Sequence, residues 1–393
     1  MISKAVFEQS LSRIKGGSME IDFWGQEKKV YGEGQPLIGL RFKDPKVVNE
    51  IVRKMDLGFG EAYMDERIDV VFGDLDQLLR LVELNSVSFR GILASANQYR
   101  YNRNIKRNQR EQIHAHYDVG NDFYKLWLDD TMTYTCAYFK TPKDTLEQAQ
   151  RQKIDHVLRK LQLEPGHEFV DIGCGWGHLV VRAAKLYGAK GRGVTLSRQQ
   201  YEYAVELAKR EGVSDLAQFE NINYQDLLPT DKQYDRVISV GILEHVGKGN
   251  HRQYFDVVNA LLKPGGVSVL HSITHQKEQP VPAFIDKYVF PGGYIPSSRE
   301  IISLLPEYEF RMIDYENLRV HYDMTLCEWL KRFEEHVDEI RKTYGEKFVR
   351  MWRLYLVGSI ASFRYGSNDL SQIVFTKGIN NNLPLTREFL YKT

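Results

Sequence analysis

The 393-residue chain holds only three cysteines, Cys136, Cys174 and Cys327, widely spaced and without a Cys-x-x-Cys pair. A disulfide framework and a thiolate zinc site are thereby excluded, and no metal is expected. No apolar run is long enough to span a bilayer, and Met1-Ile2-Ser3-Lys4 opens no signal-peptide core. The expected location is the cytoplasm. Neither sign of charge dominates, since 53 Lys and Arg against 52 Asp and Glu leave a net +1. That balance and the want of a recognisable binding module argue against a nucleic-acid partner. Internal repeats and low-complexity tracts are missing too. With 42% hydrophobic residues the chain can bury a full core, and its length fits two domains or one with large insertions.

One stretch has no acid at all. Residues 86–110 carry Arg90, Arg100, Arg103, Lys106, Arg107 and Arg110. Spacings of three and four put Arg100, Arg103, Arg107 and Arg110 on one face if the stretch is helical. It reads either as a solvated connector or as a patch for anionic lipid headgroups, where each basic side chain contributes ~1 kcal/mol. Around it the chain divides into a small α+β module over 1–90, a basic linker over 91–115 and a cofactor-dependent catalytic domain over 116–393. The first module has apolar runs at Leu37–Leu40 and Val70–Phe72 and an amphipathic helix over Leu75–Leu84.

What the chain does have is a strand that runs into a glycine turn, Glu168-Phe-Val-Asp-Ile-Gly-Cys-Gly-Trp-Gly177. Alternate glycines let the backbone pass close to a bulky ligand, and Asp171 can order the turn or face a positive group on that ligand. A dinucleotide site would carry a third glycine at 178, where this chain has His178, so NAD is disfavoured. Strand-like segments recur near 168–174, 191–197, 217–223, 234–240 and 267–274, separated mostly by helical patterns. That alternation predicts an α/β, doubly wound parallel sheet. The Asp171 turn, Thr195, Asp226 and Glu244 should then converge beyond the carboxyl ends of its strands.

After the fifth strand the alternation stops. Asp286–Ser297, rich in aromatics, Gly and Pro, reads as a shaped loop over a site. Between 326 and 363, Trp329, Phe333, Val337, Ile340, Trp352, Tyr355 and Leu356 fall at helical spacing. They read as core, or as helical cap insertions around a long apolar substrate.

Asp171 with Gly173, Gly175 and Gly177 resembles the first motif of the S-adenosylmethionine-dependent methyltransferases. Joined to His116-Tyr-Asp-Val-Gly-Asn-Asp-Phe-Tyr124, Met132-Thr-Tyr-Thr-Cys-Ala-Tyr138, Gly241-Ile-Leu-Glu-His-Val-Gly247 and Phe290-Pro-Gly-Gly-Tyr-Ile-Pro296, it makes the chain resemble the cyclopropane-fatty-acyl-phospholipid synthases from about 110 onward. The additional N-terminal module favours the bacterial phospholipid enzymes over the related mycolic acid cyclopropane synthases.

The resemblance implies transfer of a methylene from S-adenosylmethionine to a cis double bond of an acyl chain in an unsaturated phospholipid, with bound bicarbonate as base. It maps the bicarbonate set onto the Cys136 backbone amide, Glu244, His271, the Ile273 backbone and Tyr322. It maps the cofactor set onto Tyr134, Thr135, Gly173, Gly175, Thr195, Gln200, Gln225 and Asp226, to which the glycine turn adds Asp171. His271, Tyr322 and a backbone amide can donate to bicarbonate, and Glu244 can accept its proton. Tyr134, Tyr138, Phe290 and Tyr294 are candidates to face cationic character with their rings. Thr195 stands where many methyltransferases have an acid for the ribose hydroxyls, and Gln200 is expected to take that role. A peripheral position at the inner membrane surface is implied, and a homodimer would offer two membrane-facing surfaces. The competing enzyme reading is an N- or C-methyltransferase of a smaller amine or lipid.

Overall fold

The computed structural model describes residues 2–85 and 120–391. The chain forms two compact units, one of residues 1–101, 280–291 and 326–367, the other of residues 102–279, 292–325 and 368–393. The stretch 116–393 therefore contributes to both. The basic residues from Arg90 to Arg110, the 91–115 linker and 116–119 of the first quoted motif lie outside the described residues.

The first unit carries a four-stranded sheet in the order β2-β1-β3-β4, from β1 (Ser18–Phe23), β2 (Glu27–Gly32), β3 (Ile38–Phe42) and β4 (Ile68–Phe72). β1 and β3 run parallel, in a register that sets Met19, Ile21 and Phe23 beside Ile38, Leu40 and Phe42. All six are buried, as a period of two requires for a strand with one covered face. The helix over Leu75–Leu84 forms as expected, opened by a capping box between Asp74 and Gln77. The C-terminal stripe proves to be core: Trp329, Phe333, Ile340, Trp352, Tyr355 and Leu356 are buried, whereas Val337 is half-exposed. The helix Glu346–Arg364 is tied to the N-terminal module within this unit by Arg350, whose Nη1 donates to the carbonyls of Tyr63 and Ile68 at 3.0 and 3.1 Å.

The second unit is built on a seven-stranded sheet in the order β10-β11-β9-β8-β5-β6-β7. The strands are β5 (Glu168–Ile172), β6 (Lys190–Val194), β7 (Ala217–Glu220), β8 (Tyr234–Val240), β9 (Leu262–His275), β10 (Phe310–Asn317) and β11 (Asn368–Lys377). β5 to β9 are parallel, and β11 runs antiparallel to both β9 and β10. Phe169, Ile238, Val267 and Val269 pack on one face with the helices Leu146–Leu161, His178–Tyr187 and Arg198–Arg210. Val170, Ile172, Val237 and Leu270 pack on the other with the helix His251–Leu261. The expected doubly wound sheet is therefore present.

β10 and β11 are strands that the sequence pattern did not announce. β11 interrupts its apolar residues with Ser371, Gln372 and Thr376, all buried, and β10 carries Arg311, Asp314 and Glu316. Sheet pairing buries the three polar residues of β11 where composition alone would leave them in a loop, while those of β10 stay half-buried or exposed. Strand order reverses between β5 and β8, which opens a crevice beyond their carboxyl ends.

Candidate active site

A cavity of about 160 Å³ lies in that crevice. Its wall includes Tyr134 and Thr135, then Asp171, Gly173 and Gly175 after β5, Thr195 after β6, and Gln200. Gly173 has φ +79°, and a Cβ there would stand 2.0 Å from Ile242 Cδ1, so only glycine fits. Gly175, at φ +54°, meets nothing within 4 Å and leaves its side open for a ligand.

Each polar wall residue is held by its own local fold. Thr195 donates its hydroxyl to Gln200 Oε1 at 2.8 Å and accepts from the Ser197 amide at 3.2 Å, so it is spent inside the protein. The amide nitrogen of Gln200 remains as a donor. Tyr134 stands edge-on to Trp127 at 5.2 Å and tilts against Tyr124 at 5.5 Å. Asp171 is fully buried, and burial drives its carboxyl up to about 7 despite the nearby Lys153 charge.

Gln225 and Asp226 do not line this cavity, whose wall there is Ile222 and Tyr224. The 3-10 turn Tyr224–Leu227 accounts for this, because side chains three apart eclipse one another, so Tyr224 and Leu227 turn inward together. Gln225 instead donates to Gln253 Oε1 at 3.0 Å.

The second set of residues stands outside this lining. Glu244, in the helical turn Leu243–Val246 after β8, accepts the Ile273 amide on Oε1 at 2.5 Å. Its backbone carbonyl accepts from Tyr294 at 2.8 Å, which fixes the end of the Gly- and Pro-rich loop. His271 lies on the same face of β9, two residues before Ile273, and its carbonyl accepts the Gly241 amide at 2.8 Å. Ile273 pairs with Leu370, whose carbonyl accepts from Leu318 at 2.7 Å. Tyr322 follows one helical turn after Leu318, and Cys136 Sγ approaches the Leu318 carbonyl at 4.0 Å. Cys136, Glu244, His271, Ile273 and Tyr322 are thus brought to neighbouring positions, and none of them lines the cavity.

This inner set has unspent polar atoms. The Gln372 amide nitrogen stands 3.1 Å from His271 Nδ1, a contact that suits the tautomer with its proton on Nε2, and Nε2 has no partner among the described residues. Burial holds its pKa well below the ordinary imidazole value, so it is neutral. Glu244 Oε2 likewise has no hydrogen-bond partner among the described residues, and burial pushes this carboxyl up to about 7. A lone N–H donor and a carboxyl poised near neutrality match a small oxyanion that carries one proton. Cys136 is buried with its thiol pKa pushed well up, which removes it as a nucleophile.

Two of the aromatic candidates are otherwise engaged. Tyr138 is stacked between His156 at 4.2 Å and His321 at 4.7 Å, so neither ring face is open. Tyr294 has Lys248 Nζ at 5.0 Å from its ring and donates its hydroxyl to Glu300 at 2.9 Å.

Three site residues escaped sequence reasoning. Asp129 accepts from the amides of Thr131 and Thr133 at 2.9 and 3.1 Å. Gln150 donates to the carbonyls of Thr133 and Thr135 at 3.3 and 2.8 Å. Lys153, one turn later, donates to Thr135 Oγ1 at 2.9 Å and lines the cavity. The signal was a Gln and a Lys three apart on the buried face of the helix Leu146–Leu161, where a solvated helix would carry apolar residues.

Residues 104–373 match the family described as mycolic acid cyclopropane synthetase, and residues 6–91 match a domain of unknown function. The cyclopropane-fatty-acyl-phospholipid synthase of Escherichia coli strain K12 is 38% identical over 88% of this chain and 90% of its own length. Among solved structures, the cyclopropane synthase MmaA2 from Mycobacterium tuberculosis is similar at TM-score 0.65 and 32% identity, over 68% of this chain and 98% of that one. Mycolic acid cyclopropane synthase CmaA1, solved with S-adenosylhomocysteine, is similar at TM-score 0.63 and 31% identity, again over 68% and 98%. With the glycine turn and the strand order in place, these matches show that the chain belongs to the mycolic acid cyclopropane synthetase family.

Proposed function

We propose that this chain converts the cis double bond of an unsaturated phospholipid acyl chain to a cyclopropane ring, using S-adenosylmethionine. The observation that carries the reading is the presence, in one unit, of a glycine-walled cavity and of a buried, half-satisfied Glu244 and His271. The family membership and the S-adenosylhomocysteine bound in a structural relative support the cofactor.

When bound, S-adenosylmethionine supplies an electrophilic methyl group. The chain's residues would hold it: Gly173 and Gly175 would admit its bulk, Gln200 would offer an amide donor to ribose, and Asp171 would face its ammonium. Ring closure must release one proton in a site that excludes water. Bicarbonate fits the inner set by its chemistry, with His271 Nε2–H as donor and Glu244 as proton acceptor, and it would supply the base there. Tyr322 and the Cys136 amide complete that set. The basic segment from Arg100 to Arg110 is the proposed contact with anionic headgroups, which places the enzyme at the membrane surface; vesicle binding insensitive to salt would remove that contact.

The test is mass spectrometry of unsaturated phospholipid vesicles incubated with the protein and S-adenosylmethionine, with and without bicarbonate. The expected product gains one methylene and loses the double bond, in a bicarbonate-dependent manner. A methyl-branched chain that keeps a double bond, or no lipid product with cofactor still bound, would overturn the reading.

A further inference from the structure

Lys153 is a buried cation for which the reading above has no use. It projects from the helix Leu146–Leu161, is 3% exposed and lines the cavity. Its ammonium has three donors, and its one hydrogen-bond acceptor among the described residues is Thr135 Oγ1 at 2.9 Å. No carboxylate among the described residues lies within 4.0 Å of it. Asp129 and Asp171 reach it only through their longer-range field. The loop that carries Thr135 is already held by Gln150 through two backbone carbonyls and by Asp129 through two backbone amides, so it needs no buried charge to shape it. An ammonium taken out of water with neither counter-ion nor full hydrogen bonding is strongly disfavoured. The missing partner is an anion on a ligand, and the cavity is where a ligand sits.

We propose that Lys153 is the anion subsite of this cavity and receives the carboxylate at the amino-acid end of S-adenosylmethionine, while Asp171 receives the ammonium. The pair then forms a buried receptor for a zwitterion, with each charge of the ligand completing one charge of the protein. Bicarbonate is disfavoured as the Lys153 partner because Glu244 and His271 stand outside this cavity wall. The inference rests on the cofactor reading given above and deepens it. Burial draws the Lys153 pKa down to about 8, which leaves it mostly cationic at neutral pH and able to gain from an anion.

The test is calorimetric titration of the full chain with S-adenosylhomocysteine and with its decarboxylated analogue, which keeps the amine and lacks only the carboxylate. The wild type should prefer S-adenosylhomocysteine by about ten- to a hundredfold, as a charge-assisted bond implies. In Lys153→Met that preference should collapse to within about threefold, with the analogue bound no worse than by the wild type. Lys153→Gln, which is one bond shorter, keeps a donor and removes the charge, serves if Lys153→Met does not fold. An indifferent wild type, or variants that weaken both ligands equally, would overturn the subsite. A wild type that binds neither ligand would overturn the cofactor reading itself.

Discussion

The catalytic unit buries two polar clusters, and they are built on opposite principles. In one, Lys160 meets Glu316 at 2.5 Å and Asp314 at 3.7 Å, and His156 meets the same Glu316 oxygen at 2.7 Å. Although burial works against it, the His156 hydrogen bond and the Lys160 charge hold Glu316 down to about 2. In the other, spread over the cavity wall and the set outside it, Glu244 Oε2 and His271 Nε2 have no partner among the described residues, and Lys153 and Asp171 have no counter-ion among them within 4.0 Å. There the carboxyls of Glu244 and Asp171 are pushed up to about 7 by burial alone. A closed cluster holds the fold together. An open one is left half-satisfied at the expense of stability, which a fold tolerates where a ligand completes it.

The contrast can be broken most sharply at Glu244. Glu244→Gln should lower turnover by about 10²–10⁴-fold, the range for a lost acid–base group, while S-adenosylhomocysteine binding changes by less than about threefold because Glu244 is not in the cavity wall. Turnover and calorimetric titration read the two effects separately. On the closed side, Glu316→Gln removes the partner of a buried lysine and should destabilise the chain by about 3–5 kcal/mol, read by denaturant unfolding.

Asp171→Asn should do the reverse in the absence of ligand. The native carboxyl titrates near 7, against 3.8 for the group in an unfolded chain. The native state therefore holds a proton that the unfolded state has released, and this group's contribution falls as pH rises from about 4 to about 7. Asn does not titrate, so the variant should gain on the wild type across that window, by about 2–4 kcal/mol at pH 8. It should also bind S-adenosylhomocysteine more weakly. Gln200→Ala is the mildest change, losing one donor at the cavity wall and about 1 kcal/mol of cofactor affinity.

Much of this was legible in the sequence. The glycine turn, five parallel strands and the positions of Asp171 and Glu244 follow from period and spacing, because a doubly wound sheet sends every strand's carboxyl end to one edge. What stayed hidden depended on partners distant in the chain. β11 carries Ser371, Gln372 and Thr376, which only pairing with β9 and β10 buries. Lys153 and Gln150 read as ordinary helix residues until the 131–135 loop is laid against them. At Gln225 and Asp226 the turn is legible in the sequence, while its 3-10 geometry, which turns Tyr224 and Leu227 inward, is not.

The most direct test measures turnover per folded molecule and unfolding free energy for Glu244→Gln and Glu316→Gln side by side. The account predicts that Glu244→Gln loses lipid product with its stability kept or raised, while Glu316→Gln loses stability and retains turnover in the folded fraction. Equal loss of stability in both, or a Glu244→Gln enzyme that still forms product at the wild-type rate, would contradict it.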